Sequence, residues 1–221
     1  MWLGCILAFV AGYVDVIGFT TLFGLFTAHV TGNFIMIGIE LAGSSAGLLA
    51  KILALPVFVV AVAATRLAES RIAKTGRAPA APLLFVEAVI LLVFMVAGLQ
   101  ALPITDPAAP AAIATGQIAV VAMGIQNALS RTALAEHGPT TIVTGNTTQI
   151  VIDLVDLPGA PPAQRDAIRG RLGKMAPALA GFAGGATLGA LAYAGMSMWS
   201  LLVPVVLLVL VCQLVRSGST S

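Results

Sequence analysis

The tetrapeptide Val-Thr-Gly-Asn occurs twice in this chain, at residues 30–33 and 143–146. In each copy a carboxylate follows the asparagine by seven residues, Glu40 in the first and Asp153 in the second. Both motifs lie in stretches that are otherwise apolar enough to enter lipid. Because an unsatisfied amide is costly in hydrocarbon, polar residues repeated there indicate turns that need local hydrogen-bond partners.

The residue types of the motif suit a short helix that starts inside the membrane. Threonine is a natural helix N-cap, glycine permits positive φ or close approach, and asparagine can bond turn amides. Such helices direct free N–H groups and partial positive charge inward, which favours an anionic or polar solute. We therefore expect a substrate path near the bilayer midplane, formed by Thr31, Gly32, Asn33, Thr144, Gly145 and Asn146.

Asp15 is the ionisable residue placed deepest in an apolar segment. It follows Gly12 by three residues, as Asn127 follows Gly124, so the two positions correspond. A charge within a span costs about 2.5 kcal/mol or more, and burial disfavours the charged form, which makes proton exchange feasible. We predict that Asp15 couples transport to a proton or cation, within a polar core that also contains Asn127, Gln126, Glu40 and Asp153.

Purely structural interpretations of these residues stay open. The Thr-Gly-Asn turns could close bent helices and line nothing, and Asp15 could be a buried carboxyl that bonds a neighbouring span. Glu40 and Asp153 could cap the outer ends of their short helices. Glu87 is expected to be an interfacial charge near a basic loop.

Composition identifies an integral membrane protein. The chain is 59% hydrophobic and 9% charged, with a mean hydropathy of +1.03, whereas soluble domains carry roughly 25% charged residues. A net charge of +2 and the lack of a basic cluster interleaved with aromatics exclude a nucleic-acid partner. The spacing of Cys5, Cys212, His29 and His137 fits no metal, cofactor or catalytic cluster, so we expect no enzyme.

The apolar segments predict an all-α membrane protein. A spanning helix needs about 20 apolar residues. Six stretches fit, and two shorter ones, 27–45 and 142–157, contain the motifs and are expected to be re-entrant half-helices. The six spans are expected at about 1–25, 46–65, 83–102, 111–129, 175–194 and 198–215. In the fifth span, Gly181, Gly185 and Gly189 share one face and predict close helix packing.

The two halves of the chain correspond to one another. We expect a single membrane domain over residues 1–221, with one repeat at about 1–102, a Pro-rich linker at about 103–110 and a second repeat at about 111–216. Each half has three spans and one re-entrant segment. Since three is odd, the second half enters the bilayer from the opposite face, which makes these inverted-topology repeats.

The distribution of basic residues orients the chain. Lys and Arg gather at the cytoplasmic ends of spans. In the six-span arrangement both termini are cytoplasmic and ten of the eleven basic residues lie on that side, with Lys51 outside. The ten are Arg66, Arg71, Lys74, Arg77, Arg131, Arg165, Arg169, Arg171, Lys174 and Arg216. Two full crossings in place of the re-entrant segments would divide the basic residues five against six.

The ordered motifs resemble those of the YoaK family of uncharacterised bacterial multispan membrane proteins. The resemblance rests on "AGYVDVIGF" at 11–19, "HVTGNFIMIGIELAG" at 29–43, and "AMGIQNALSR" with "TTIVTGNTTQIVIDL" between 122 and 154. It implies a bacterial cytoplasmic (inner) membrane protein and no established activity.

Two classes of function suit these features. Inverted repeats with paired broken segments are typical of transporters and channels for small solutes. The alternative is a membrane scaffold or assembly protein without transport activity. In both cases the partner that the sequence establishes is the lipid bilayer; the solute or ion is not identified, and homo-oligomerisation is left open.

The charge distribution predicts that both termini face the cytoplasm. Reporter fusions at the two ends should give cytoplasmic signals, because an even number of spans returns the chain to its starting side. A reporter inserted between Arg71 and Lys74 should also be cytoplasmic. Signals on opposite sides for the two termini would contradict an even number, and a periplasmic signal at the insertion would invert the orientation.

Overall fold

The chain is a helical bundle in the computed structural model, which describes residues 2–43, 47–138, 140–141 and 143–218. Over these residues there are eight α-helices, two 3-10 helices and no strands. The α-helices are α1 (Trp2–Thr21), α2 (Gly32–Ala42), α3 (Leu48–Ala73), α4 (Ala80–Ala101), α5 (Pro110–Arg131), α6 (Val143–Asp156), α7 (Pro162–Met196) and α8 (Leu202–Gly218). The 3-10 helices are Ala135–His137 and Ser197–Leu201.

Several helices are long and apolar enough to cross a membrane. In the described part of the chain there are five such segments: α1, α3, α4, α5 and a 56-residue run, Pro162–Ser217. That run contains α7 and α8, which are separated by the 3-10 helix and by Ser197 at a φ of 52°. The six spans expected from the sequence therefore stay a prediction. By contrast α2 has only 11 residues, too few to cross the bilayer.

Two pairs of helices that are distant in sequence run parallel to each other. Along α1 and α7, Cys5 packs against Gly181 and Tyr13 against Gly189. Along α3 and α5, the Gln117 side chain donates to the Ala50 carbonyl near one end, and the Thr132 hydroxyl donates to Glu69 near the other. Each pair joins the first long helix of one half of the chain to the second long helix of the other.

The third long helices of the two halves pack antiparallel. Gly98, near the end of α4, contacts Met198 just before α8. At the opposite ends of the two helices, the Cys212 thiol donates to the Ala81 carbonyl over 3.2 Å. Apolar side chains from α1, α4, α5 and α8 fill the core between these pairs, among them Ile17, Leu84, Phe94, Met123 and Leu208.

Glycines bring α1 and α7 into close contact, as the spacing in the fifth predicted span indicates. A Cβ at Gly185 would overlap the carbonyl oxygen of Phe9, and one at Gly181 would overlap that of Cys5. On the facing helix, a Cβ at Gly12 would overlap the carbonyl of Phe182. The obstructing atoms are backbone, which cannot rotate away as a side chain can.

Gly185→Ala should therefore destabilise the protein, whereas Gly184→Ala should not. The first substitution forces α1 and α7 apart, and overpacking of this kind costs about 1–3 kcal/mol. A Cβ at Gly184 would meet only the Phe9 ring, at 4.0 Å, which is ordinary contact. Thermal unfolding in detergent should show a lower Tm for the first variant alone. Equal Tm values would contradict this account of the interface.

Candidate functional site

Asp15 holds the loop between α1 and α2 against the side of α1. The carboxylate lies six residues before the end of α1 and is 5% exposed. Its Oδ1 accepts hydrogen bonds from the backbone N–H groups of Thr27 at 2.7 Å and Ala28 at 2.8 Å, with the Thr27 hydroxyl at 3.3 Å. The loop therefore turns back along α1 to the level of Asp15 before α2 begins.

His29 completes the surroundings of Asp15. Its Nδ1 lies 2.9 Å from Asp15 Oδ2, and its ring meets Phe182 edge-on at 4.8 Å between centroids. The imidazole is 28% exposed, in contrast to the buried carboxylate. In the neutral form a proton on Nδ1 donates to Asp15 and leaves Nε2 as an acceptor. Sequence analysis missed this pair, and Ile142, which stands at the position of His29 in the second motif, lies outside the described residues.

Asn33 satisfies a turn amide, as its sequence motif predicts. Its Oδ1 accepts from the N–H of Phe26 at 2.9 Å, and its Nδ2 donates to the carbonyl of the same residue at 2.8 Å. The side chain is completely buried. One asparagine thus replaces both partners that Phe26 would have in a helix.

The capping role expected for Thr31 is wrong, and of the two roles expected for Gly32 only close approach is observed. Thr31 forms no capping hydrogen bond, because its backbone is already helical, with φ at −66°. The N–H of Gly32 donates to the carbonyl of His29 at 2.7 Å, that of Asn33 to Val30 and that of Phe34 to Thr31, so the tight turn leaves none of these groups free for a solute. Positive φ occurs at Gly24, not at Gly32. Gly32 serves close approach instead, since a Cβ there would lie 2.8 Å from the Phe26 ring.

The second motif is anchored in a related way. The Thr141 hydroxyl donates to Asn127 Oδ1 at 2.6 Å. Gln126 donates through Nε2 to the Leu7 carbonyl at 2.8 Å and to the Thr140 hydroxyl at 3.3 Å. Thr141, which bonds Asn127, follows Ala28, which bonds Asp15, by the same 113 positions that separate the two motif asparagines. The side chains of Asn127 and Asp15 therefore hold equivalent loops.

All four residues of the second motif lie within a helix. Thr144 and Gly145 are exposed in the first turn of α6, which begins at Val143, so Thr144 is not its N-cap. Asn146 is buried, at 7% exposure. Because α2 packs against α3, and α6 against α7, the meeting of the two turns near the midplane stays a prediction.

Each short helix ends in an ion pair to the next long helix. Glu40 pairs with Lys51, whose Nζ also donates to the Phe23 carbonyl at 2.7 Å, and both side chains are buried. Asp153 receives two hydrogen bonds from Arg171, from Nη2 at 2.6 Å and from Nε at 3.0 Å. Arg171 is 47% exposed, so this second pair reaches solvent. The expectation that these carboxylates lie toward the outer ends of their helices is consistent with this pairing.

Glu87 is not the interfacial charge that the sequence suggested. It is completely buried in α4, and neither carboxyl oxygen has a hydrogen-bond partner among the described residues. The face of α4 that carries Glu87 also carries Leu84 and Leu91, and it packs into the core. The distance of Glu87 from the start of α4 does not predict its burial, because orientation around the helix axis decides which side chains are buried.

A cavity of about 260 Å³ opens beside Asp15. Its walls are mainly apolar and aromatic, formed by Gly12, Val16, Phe19, Phe26, Phe182 and Ala186. Phe19 and Phe26 contact each other with 4.8 Å between ring centroids. The volume suits a small molecule. In the described part of the chain, no three His, Cys, Asp or Glu side chains are grouped to hold a metal ion.

Fold and site together define a multi-pass α-helical membrane protein whose polar loops are anchored inside the bundle. Residues 3–214 match the model of a family described as "Protein of unknown function (DUF1275)", and the chain belongs to that family. No curated protein and no solved structure shows significant similarity to it.

Breaking the buried Glu40–Lys51 pair should be more damaging than removing it. Lys51→Met leaves a buried carboxylate without its cation, and such losses cost about 3–5 kcal/mol. The double variant Glu40→Leu with Lys51→Met removes both charges and should recover much of the lost stability. Asp153→Asn should be milder, because Arg171 remains half exposed to solvent. Urea or thermal unfolding in detergent measures all three, and a double variant less stable than Lys51→Met would refute the argument.

Proposed function

We propose that this protein is a transporter or channel for a small solute in the bacterial cytoplasmic membrane. The observation that carries the proposal is the Asp15 site: a buried carboxylate holds a non-helical loop inside the bundle and lines a cavity of small-molecule size. Non-helical backbone at membrane depth is tolerated where it lines a cavity or is buried in protein. Ionisable residues inside spans mark solute and proton pathways in many membrane proteins.

The proposal includes six spans arranged as two inverted repeats within one membrane domain, with both termini in the cytoplasm. Helix packing supports it, because α1 pairs with α7 as α5 pairs with α3, and α4 pairs with α8. If α1, α3 and α4 exchange places with α5, α7 and α8, the same three helix pairs result. The contacts of Met198 and Cys212 with opposite ends of α4 also favour two crossings in the 56-residue run. Membership of the YoaK family, whose motifs this sequence resembles, is part of the same proposal.

The solute of this proposal differs from the anion that free helix N-termini would favour. The first N–H groups of α2 are already bonded, and Asp15 contributes an acidic group to the cavity. Aromatic walls favour a small, mainly apolar solute or a small cation. In this proposal the two motif asparagines, Asn33 and Asn146, lie beside the path, and Asn33 closes the first turn through its two bonds to Phe26.

A scaffold function is the second candidate, and one observation favours it. The short helices leave large apolar side chains uncovered: Ile35 is 69% exposed and Leu41 70% in α2, and Val155 is 74% exposed in α6. These faces suit lipid, but they also suit another protein or a second copy of the chain. A scaffold requires no solute movement, which separates the two candidates experimentally.

Asp15→Asn should abolish any dependence of solute flux on the pH gradient while preserving the fold. The amide can accept the same backbone hydrogen bonds from Thr27 and Ala28, but it cannot exchange a proton. Proteoliposomes with an internal pH-sensitive dye measure proton movement, and osmotic swelling in glycerol, urea or methylammonium measures solute entry. Wild-type protein should move at least one of these solutes faster than empty vesicles.

Asp166→Asn is the matched control, because Asp166 is an exposed carboxylate at the start of α7. It should retain wild-type flux and pH dependence. If Asp15→Asn does the same, Asp15 is structural and an uncoupled channel is favoured. If neither wild-type protein nor control moves any solute in a broad screen, transport is refuted and the scaffold candidate gains.

A further inference from the structure

A second cavity, of about 880 Å³, lies at the opposite end of the bundle from Lys51. It is bounded by the end of α3, the turn between α3 and α4, the start of α4 and the end of α8. Nothing in the proposed transport path uses it. Its lining has a chemical character unlike that of the cavity at Asp15.

The charge of this cavity is one-sided. Arg71, Arg77 and Arg216 line it, and the described residues of its wall include no carboxylate. Each of the three comes from a different element, α3, the α3–α4 turn and α8, so the fold itself brings the cations together. By comparison, the neighbouring cavity, which Arg66 and Arg131 line, also contains the carboxylate of Glu69.

The start of α4 adds to the positive character. Ala81 and Pro82 in its first turn line the cavity, and no side chain caps this helix. The N-terminus of an α-helix carries a partial positive charge that favours phosphate groups. The guanidinium groups of Arg71 and Arg77 supply the bidentate donors that phosphate oxygens accept.

Apolar side chains form the rest of the wall. Ile72, Pro82 and Val215 lie beside the arginines, at the level where the apolar runs of α4 and α8 end and charged residues begin. In a bilayer, this level is the headgroup region. A ligand that fills the cavity must therefore be anionic at one side and apolar at the other.

We propose that this cavity binds the phosphodiester headgroup of an anionic phospholipid from the cytoplasmic leaflet. Arg71 and Arg77 contact the phosphate, while Ile72 and Val215 contact the glycerol and the first methylenes of the acyl chains. Basic pockets between membrane helices on the cytoplasmic side bind such headgroups in general. The assignment to the cytoplasmic leaflet rests on the topology included in the proposed function, whereas the site itself does not require transport.

The test uses delipidated full-length protein in a neutral detergent. Phosphatidylglycerol is titrated while unfolding is followed by tryptophan fluorescence, with phosphatidylcholine as the zwitterionic comparison. Phosphatidylglycerol should raise Tm by about 3 °C or more at saturation, and phosphatidylcholine should not. Inorganic phosphate and glycerol 3-phosphate form the soluble arm, and neither should match the lipid.

Arg71→Gln combined with Arg77→Gln should weaken lipid binding and raise the half-saturating lipid concentration by about tenfold or more. The matched control is Lys74→Gln combined with Arg169→Gln, which removes two basic residues from the same end of the bundle but outside the cavity wall. If the double variant fails to purify, Arg77→Gln alone, in the α3–α4 turn, gives the same comparison.

Three outcomes overturn the proposal. An equal loss of lipid affinity in the control pair would show that general surface charge, and not the cavity, determines binding. A shift from inorganic phosphate or glycerol 3-phosphate equal to that from the lipid would assign the cavity to a soluble phosphorylated ligand. No shift of Tm with either kind of ligand, or an equal shift with phosphatidylcholine, would show that the cavity does not select an anionic lipid.

Discussion

The need to satisfy backbone amides in an apolar environment governs this structure. Where the chain leaves helical geometry between α1 and α2, its N–H groups lose their helical partners, and lipid offers none. Asp15 bonds two of these groups, and Asn33 bonds both polar groups of Phe26. Two buried side chains thereby allow a loop to fold back along a membrane helix.

This constraint explains which features the sequence could predict. Overall composition establishes the membrane class, and the turn chemistry of Asn33 depends on bonds within seven residues. The close packing of α7 is equally predictable from the sequence, because a fixed spacing places Gly181, Gly185 and Gly189 on one helix face. Each of these inferences needs only local geometry.

Other features depend on the path of the chain and could not be predicted. The pairing of His29 with Asp15 requires the loop to return by a particular distance along α1. The capping role assigned to Thr31 failed because the backbone had become helical one residue earlier than the motif suggested. Glu87 was misplaced because α4 is apolar all round, so its sequence carries no amphipathic pattern that separates inner from outer faces.

The parallel pairing of α1 with α7 has a consequence for biosynthesis. Phe9 and Gly185, which touch in the folded protein, are 176 positions apart in the chain. At about 5–20 residues per second, a ribosome needs roughly 10–35 s to make the intervening polypeptide. During that interval the first helix has entered the membrane with Asp15 in place but without the helix that covers it. Until α7 is made, the hydrogen bonds from Thr27 and Ala28 are contacts from its own half of the chain that shield the Asp15 carboxylate.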